Sequence, residues 1–152
     1  MEGNAPMLIA GFDFPGDLHY LVEHQVWARV EGEGVARVGI TALGIHLAGG
    51  EIYMARPKIV GTVVPQGASI GVVELAKAIV SVKSPVSGAV LEINAQLAQE
   101  PELVHRDPYG EGWFARLALS GFAADALSLV HGEAAVRPAM EHHAWLNRTA
   151  PT

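Results

Sequence analysis

The middle of the chain is a ladder of short β-rich runs, each stopped after five to seven residues by a glycine, a proline or a polar turn. Val26 to Val30 reads as a strand, Gly32-Glu33-Gly34 as a turn and Val35 to Ile40 as the returning strand, which is a hairpin pattern. Thr41 caps a short predicted helix over Ala42 to Leu47, ended by Gly49-Gly50. Further strands are expected at Glu51 to Ala55, broken by Arg56-Pro57, and at Val60 to Val64, turned by Pro65-Gln66-Gly67. Ser69 to Leu75 and Ala78 to Val82 follow almost without a gap, and Ser84 to Gly88 turns the chain into Ala89 to Ile93. Strands repeating about every 8–12 residues cannot build a helical bundle; they predict a small sandwich or barrel.

Beyond Leu97 the texture changes. Gln99 to Val104 reads as a short helical turn, Asp107-Pro108-Tyr109-Gly110 as a turn and Trp113 to Leu119 as a last strand. Ala123 to Val130 is alanine- and leucine-rich and predicted helical, with Gly132 as its stop. Pro138 is expected in the first turn of a final helix reaching about Asn147, and Arg148 to Thr152 is expected to fray. The fold class is therefore mainly β (α+β), with short helices and C-terminal helices. One domain over residues 1–152 is expected, with its core at about 18–119 and a helical extension at about 122–148.

Several functions are set aside by composition. Half the residues are hydrophobic and 17% are charged, enough to bury a core. There is no cysteine, so redox chemistry must come from an attached group. A net charge of −6 argues against nucleic acid as partner. No apolar run reaches the roughly 20 residues of a membrane span. The first residues lack the basic region of a secretory signal, so a cytoplasmic location is expected.

Only three lysines occur, Lys58, Lys77 and Lys83. Lys77 falls where the strands Ser69 to Leu75 and Ala78 to Val82 meet, so its ammonium should project into water, within reach of a modifying enzyme. An ordinary solvated lysine is the plain alternative on position alone. Its flanks narrow the choice: Glu74 precedes it by three residues, and Ser84-Pro85-Val86-Ser87-Gly88 begins seven residues after it. Val38-Gly39-Ile40-Thr41 lies upstream, and Glu92-Ile93-Asn94, Pro101-Glu102-Leu103-Val104 and Asp107-Pro108-Tyr109-Gly110-Glu111-Gly112-Trp113 lie downstream.

In order and spacing, over about residues 18 to 119, these blocks resemble the glycine cleavage system H-protein family. The resemblance implies a lipoyl-domain-like barrel-sandwich of two antiparallel sheets and lipoate covalently attached to Lys77. It implies no catalysis by the chain itself, hence no catalytic residue, and no metal. The lipoyl-lysine arm would shuttle the aminomethyl group of glycine cleavage between enzymes. The implied partners are lipoate ligase or lipoyl synthesis enzymes, glycine decarboxylase, aminomethyltransferase and dihydrolipoamide dehydrogenase. Glu74 admits two readings, as a recognition contact for the lipoylating enzyme or as an exposed strand carboxylate offsetting the lysine charge.

Two other uses of Lys77 fit less well. A nucleophilic lysine needs burial or cationic neighbours, and a tip lysine beside Glu74 has neither. Biotinyl hairpins carry methionine beside the lysine, whereas Ala76 and Ala78 flank Lys77. His142-His143 with Glu141 offers no metal-ligand spacing, because adjacent helical side chains diverge. Tyr109 and Trp113 are expected to pack beside the carrier hairpin.

The chain also departs from the family pattern. Gln25-Val26-Trp27 stands for His-Glu-Trp, with His24 one place early, and Ala48-Gly49-Gly50 stands for Leu-Gly-Asp. Met54-Ala55-Arg56-Pro57-Lys58 replaces an acidic segment, so that Ala55 and Lys58 stand where the family has carboxylates, and Ile79-Val80-Ser81 loses another. The surface near the arm should thus be less acidic than usual, which keeps the carrier and reopens the partner. The alternative is an H-protein-like lipoate-binding protein of a sulfur-oxidation system, serving a heterodisulfide-reductase-like complex.

Overall fold

The computed structural model describes residues 6–148. Twelve strands form three antiparallel sheets among these residues. The first is a hairpin of β1 (Pro6–Ile9) and β2 (Phe12–Pro15). The largest sheet holds β3 (His19–Leu21), β4 (Val26–Val30), β5 (Val35–Ile40), β7 (Val63–Val64), β10 (Gly88–Ile93), β11 (Ala115–Leu119) and β12 (Val130–His131), in the order β12-β3-β4-β5-β11-β10-β7. The third sheet is β6 (Met54–Pro57), β8 (Ser69–Leu75) and β9 (Ala78–Lys83), with β8 in the middle. Its inner face closes on the large sheet through Ala55, Val73, Leu75 and Val82, which meet Val38, Val90, Phe114 and Leu117 in one buried cluster. The result is the barrel-sandwich that the family resemblance implies, with the β1–β2 hairpin as a further small sheet.

Helices cover the ends. Thr41 caps α1 (Ala42–Ala48): its Oγ1 accepts from Gly44 N at 2.9 Å and leaves β5 by donating to buried Gln25 Oε1 at 2.6 Å. α2 (Leu103–Arg106) and α3 (Phe122–Asp125) are single turns, and α4 (Glu133–Leu146) is the one long helix of the described residues. It buries Val136 and Met140 in a second cluster with Met7, Ile9, Phe14, Trp27 and Leu43. Trp27 is wholly buried, and its Nε1 donates to both Ile40 O and Pro108 O at 3.2 Å.

Several local expectations change. The strand expected at Glu51 to Ala55 lies instead at Met54–Pro57, because Ile52 N is taken by His105 Nδ1 at 2.9 Å rather than by a ladder. Arg56-Pro57 does not break it: β6 is an edge strand, where a proline without N–H is tolerated. The strand expected at Val60 to Val64 shrinks to two residues, since Gly61 (φ 93°) and the Thr62 Oγ1 bond to Ile59 O at 2.6 Å make a turn there. The helix expected over Ala123 to Val130 ends early, and Val130–His131 pairs with His19–Tyr20 as a strand. Gly132 therefore starts α4 rather than stopping a helix, and Pro138 lies inside it; the carbonyl it leaves unpaired belongs to exposed Ala134, which water can serve. Most of the frayed tail expected after Arg148 lies outside the described residues, and the β1–β2 hairpin and β3 have no counterpart in the sequence reading.

Candidate functional site

β8 and β9 form a hairpin in which Leu75 pairs with Ala78, leaving Ala76-Lys77 as a two-residue turn. Both turn residues are exposed. Neither has a positive φ, so the turn is not one of the glycine-dependent hairpin types. The loop projects because its base is fixed. Leu75 is buried, and β8 is hydrogen-bonded on both sides, to β6 and to β9. Gly49, at the end of α1, sits against this base, where an added Cβ would lie 3.3 Å from Leu75 Cδ2. Its φ of 135° and its lack of a side chain let the helix end approach the hairpin. Between them is an open depression lined by Ala48, Gly49, Glu51, Tyr53, Leu75, Ala76, Lys77 and Ala78.

Along β8 and β9 the two faces differ. Ala55, Val73 and Val80 stand in one row of the ladder and turn inward; Met54, Glu74 and Ile79 stand in the next row and turn outward, with Ile79 69% exposed. Glu74 makes no ion pair or side-chain hydrogen bond with Lys77. Its carbonyl accepts from Tyr53 N at 2.8 Å. Ala55 is 7% exposed, so the lost carboxylate at that position removes nothing from the surface; Arg56 and Lys58 are exposed and do change it.

The Ser84 to Gly88 block lies at the far end of β9, some 20 Å from the tip by strand rise. It anchors the chain. Ser84 Oγ donates to Val86 O at 2.6 Å; Ser87 N and Oγ donate to the Asp125 carboxylate at 2.6 and 3.1 Å. Gln66 Nε2 completes the clamp by donating to Pro85 O and Asp125 O, both at 2.9 Å. Gln66 and Asp125 carry no signal in sequence, being 59 residues apart.

Tyr109 and Trp113 are not beside the hairpin, as was expected of them. They pack on the second cluster, with Tyr109 Oη accepting from Ala42 N at 3.0 Å and donating to Asp13 O at 2.7 Å. Burial pushes this phenol well above its ordinary range. His24 instead lines a small apolar groove beside β9, with Val26, Ile45, Val80, Ser81 and Val82. Its neighbour Gln25 is buried at φ 52°, and its amide reaches Val22 O and Met140 Sδ, tying β4 to α4. His142 stacks on Trp145, and no group of three metal-ligating side chains occurs among the described residues.

The structure thus places Lys77 at the exposed tip of a two-residue turn whose base is hydrogen-bonded on both sides. The comparisons with known proteins identify the family. The family model for glycine cleavage H-protein matches residues 18–142. The H protein of Laribacter hongkongensis is 44% identical over 122 residues, covering 80% of this chain and 94% of that one. That of Nostoc punctiforme is 39% identical over 119 residues, covering 77% and 90%. A crystal structure of a glycine cleavage system H protein from Mycobacterium marinum superposes with a TM-score of 0.64 at 31% identity, over 70% of this chain and 87% of that one. The chain belongs to the glycine cleavage H-protein family, whose members are lipoyl carriers.

Proposed function

We propose that this chain carries lipoate in amide linkage on Lys77 and presents it in turn to the enzymes of glycine cleavage. The observation that carries the reading is the exposed Lys77 on a two-residue turn whose base is locked by Leu75, inside a segment matched by the family. Covalent attachment requires a primary amine that can enter another enzyme's active site, and Lys77 fits. The depression beside it, walled by Ala48, Leu75 and Tyr53, offers apolar surface to an arm that has lost its charge. When attached, lipoate supplies the redox-active disulfide that a cysteine-free chain lacks. The chain's own part is to hold the tip rigid and keep the arm at high effective concentration near successive partners.

Those partners are the lipoylating enzyme, glycine decarboxylase, aminomethyltransferase and dihydrolipoamide dehydrogenase, met in the cytoplasm. Glu74, turned outward three residues before Lys77 and free of internal ion pairs among the described residues, serves as a recognition contact for lipoylation. No helix of the described residues is long and apolar enough to cross a membrane.

The test has two stages. Intact mass after incubation with lipoate ligase, lipoate and ATP should rise by one lipoyl group in the wild type and not at all in Lys77→Arg, which keeps the charge but lacks an acylable amine. The lipoylated protein should then support glycine-dependent CO2 release by glycine decarboxylase. A folded, fully lipoylated sample with no activity would overturn this reading. It would favour the sulfur-oxidation carrier, whose supporting observation is exposed Arg56 and Lys58 near the hairpin.

A further inference from the structure

Charge is divided unevenly over this molecule. Residues 54–83, which span the β6-β8-β9 sheet, contain Arg56, Lys58, Lys77 and Lys83 against a single acid, Glu74. The rest of the chain holds six cations and fifteen acidic residues, so a net −6 protein carries a +3 segment around its arm and −9 elsewhere. The cations of this segment are also uncompensated. Arg29, Arg37, Arg116 and Arg137 each sit within 4 Å of a carboxylate, whereas Arg56, Lys58, Lys77 and Lys83 make no ion pair among the described residues.

The ladder puts Arg56 and Lys83 on one surface. Met54, Glu74 and Ile79 form one outward row; Arg56, Val72 and Ser81 form the next; Lys83 follows two residues further along β9. Ile79 and Met54 are 69% and 37% exposed, so the cations frame an apolar strip leading to Lys77. Glu51 lies apart from this face, in the depression on the α1 side of the tip.

We infer that the outer face of the β6-β8-β9 sheet is a docking surface, and that the enzyme receiving the arm meets it with an acidic rim around an apolar contact. The inference rests on the glycine cleavage reading for the identity of that enzyme, glycine decarboxylase. The charge sets the chemistry of that partner's rim: the face is positive, and lipoylation leaves it positive, at +2, after Lys77 loses its charge. Exposed interfacial charges act mainly on encounter, so their signature is a salt-dependent apparent affinity rather than a changed turnover.

The experiment uses full-length protein, lipoylated to completion by mass, with glycine decarboxylase. KM for the carrier and kcat are measured over a range of ionic strength for wild type, Arg56→Glu/Lys83→Glu and Arg56→Gln/Lys83→Gln. The expected result is a wild-type KM that rises with salt. The Glu variant should have a KM at least tenfold higher at low salt, a gap that closes as salt is added, and the Gln variant should fall between them. Saturating kcat should be equal, and circular dichroism should show all three folded. Equal KM values, or a Glu variant that binds better, would overturn the acidic-rim partner while leaving the glycine cleavage reading standing. Inactive wild type would overturn that reading and this occupant together. Sedimentation showing salt-sensitive self-association abolished by the Glu variant would assign the face to a second copy of the chain and overturn the inference in that way.

Discussion

Ala55 faces the interior between the sheets, in register with Val73 of β8, while Arg56 beside it and Lys58 beyond it reach solvent. A glutamate at these positions meets opposite environments. Ala55→Glu places a carboxylate in the apolar cluster with no partner, so it should destabilise the fold by about 2–5 kcal/mol. Lys58→Glu changes only exposed charge and should stay within about 0.5 kcal/mol of wild type. Chemical denaturation of the two variants checks this; an Ala55→Glu protein as stable as wild type would mean that β6 is in a different register. Nothing local in Met54-Ala55-Arg56-Pro57-Lys58 distinguishes the inward residue from its neighbours, because Pro57 suggests a break that an edge strand does not need. The sequence therefore marks this segment's charge correctly at Arg56 and Lys58 and misplaces it at Ala55.

At the scale of elements, β12 attaches the C-terminal part to the large sheet through only two residue pairs, His131↔His19 and Val130↔Tyr20. The two imidazoles stack at 4.0 Å between centroids, Phe122 meets His19 edge-on, and His131 Nδ1 lies 2.8 Å from Leu18 O. Partial burial first, and the nearby His131 second, lower the pKa of His19. The folded state thus prefers the neutral ring, and the unfolded chain binds more protons once pH falls below the ordinary imidazole value of about 6.5. This stabilisation is present in full above that value and is lost as pH drops from there towards the lowered one. His143, lowered by burial and by His142, adds the same sign. Melting temperature should accordingly fall between pH 7.5 and 5.5. His131→Gln should make the slope shallower by removing the neighbouring charge; a wild-type melting temperature that is flat over this range would contradict the assignment. Regular elements with strong local signals, such as β4, β5, β8 and β9, were legible in the sequence. β12 was not, because an alanine-rich run with helical propensity ends in two residues that only a partner strand makes extended.

At the scale of the whole molecule, the β8–β9 hairpin depends on the fold, and the fold is expected not to depend on Lys77. Lys77 is exposed on the turn, and the contacts that close the sandwich, Leu75 included, lie below it. Thermal unfolding of Lys77→Ala should agree with wild type to about 1–2 °C. A large loss would mean that Lys77 has a buried role. The place of Lys77 at a hairpin tip was legible because it falls between two strand signals. Its surroundings were less so: Gln66, Asp125 and Gln25 act through contacts that span tens of residues, and Tyr109 and Trp113 turned out to support the opposite cluster. A tryptophan inside that cluster also makes the molecule self-reporting. Trp27 is fully enclosed, whereas Trp145 is 57% exposed at the end of α4. With Trp113 and Trp145 replaced by phenylalanine, the remaining indole would emit at short wavelength while the sandwich is closed and shift to the red when it opens. Opening of the sandwich could then be followed by light on one sample, with no label placed near Lys77.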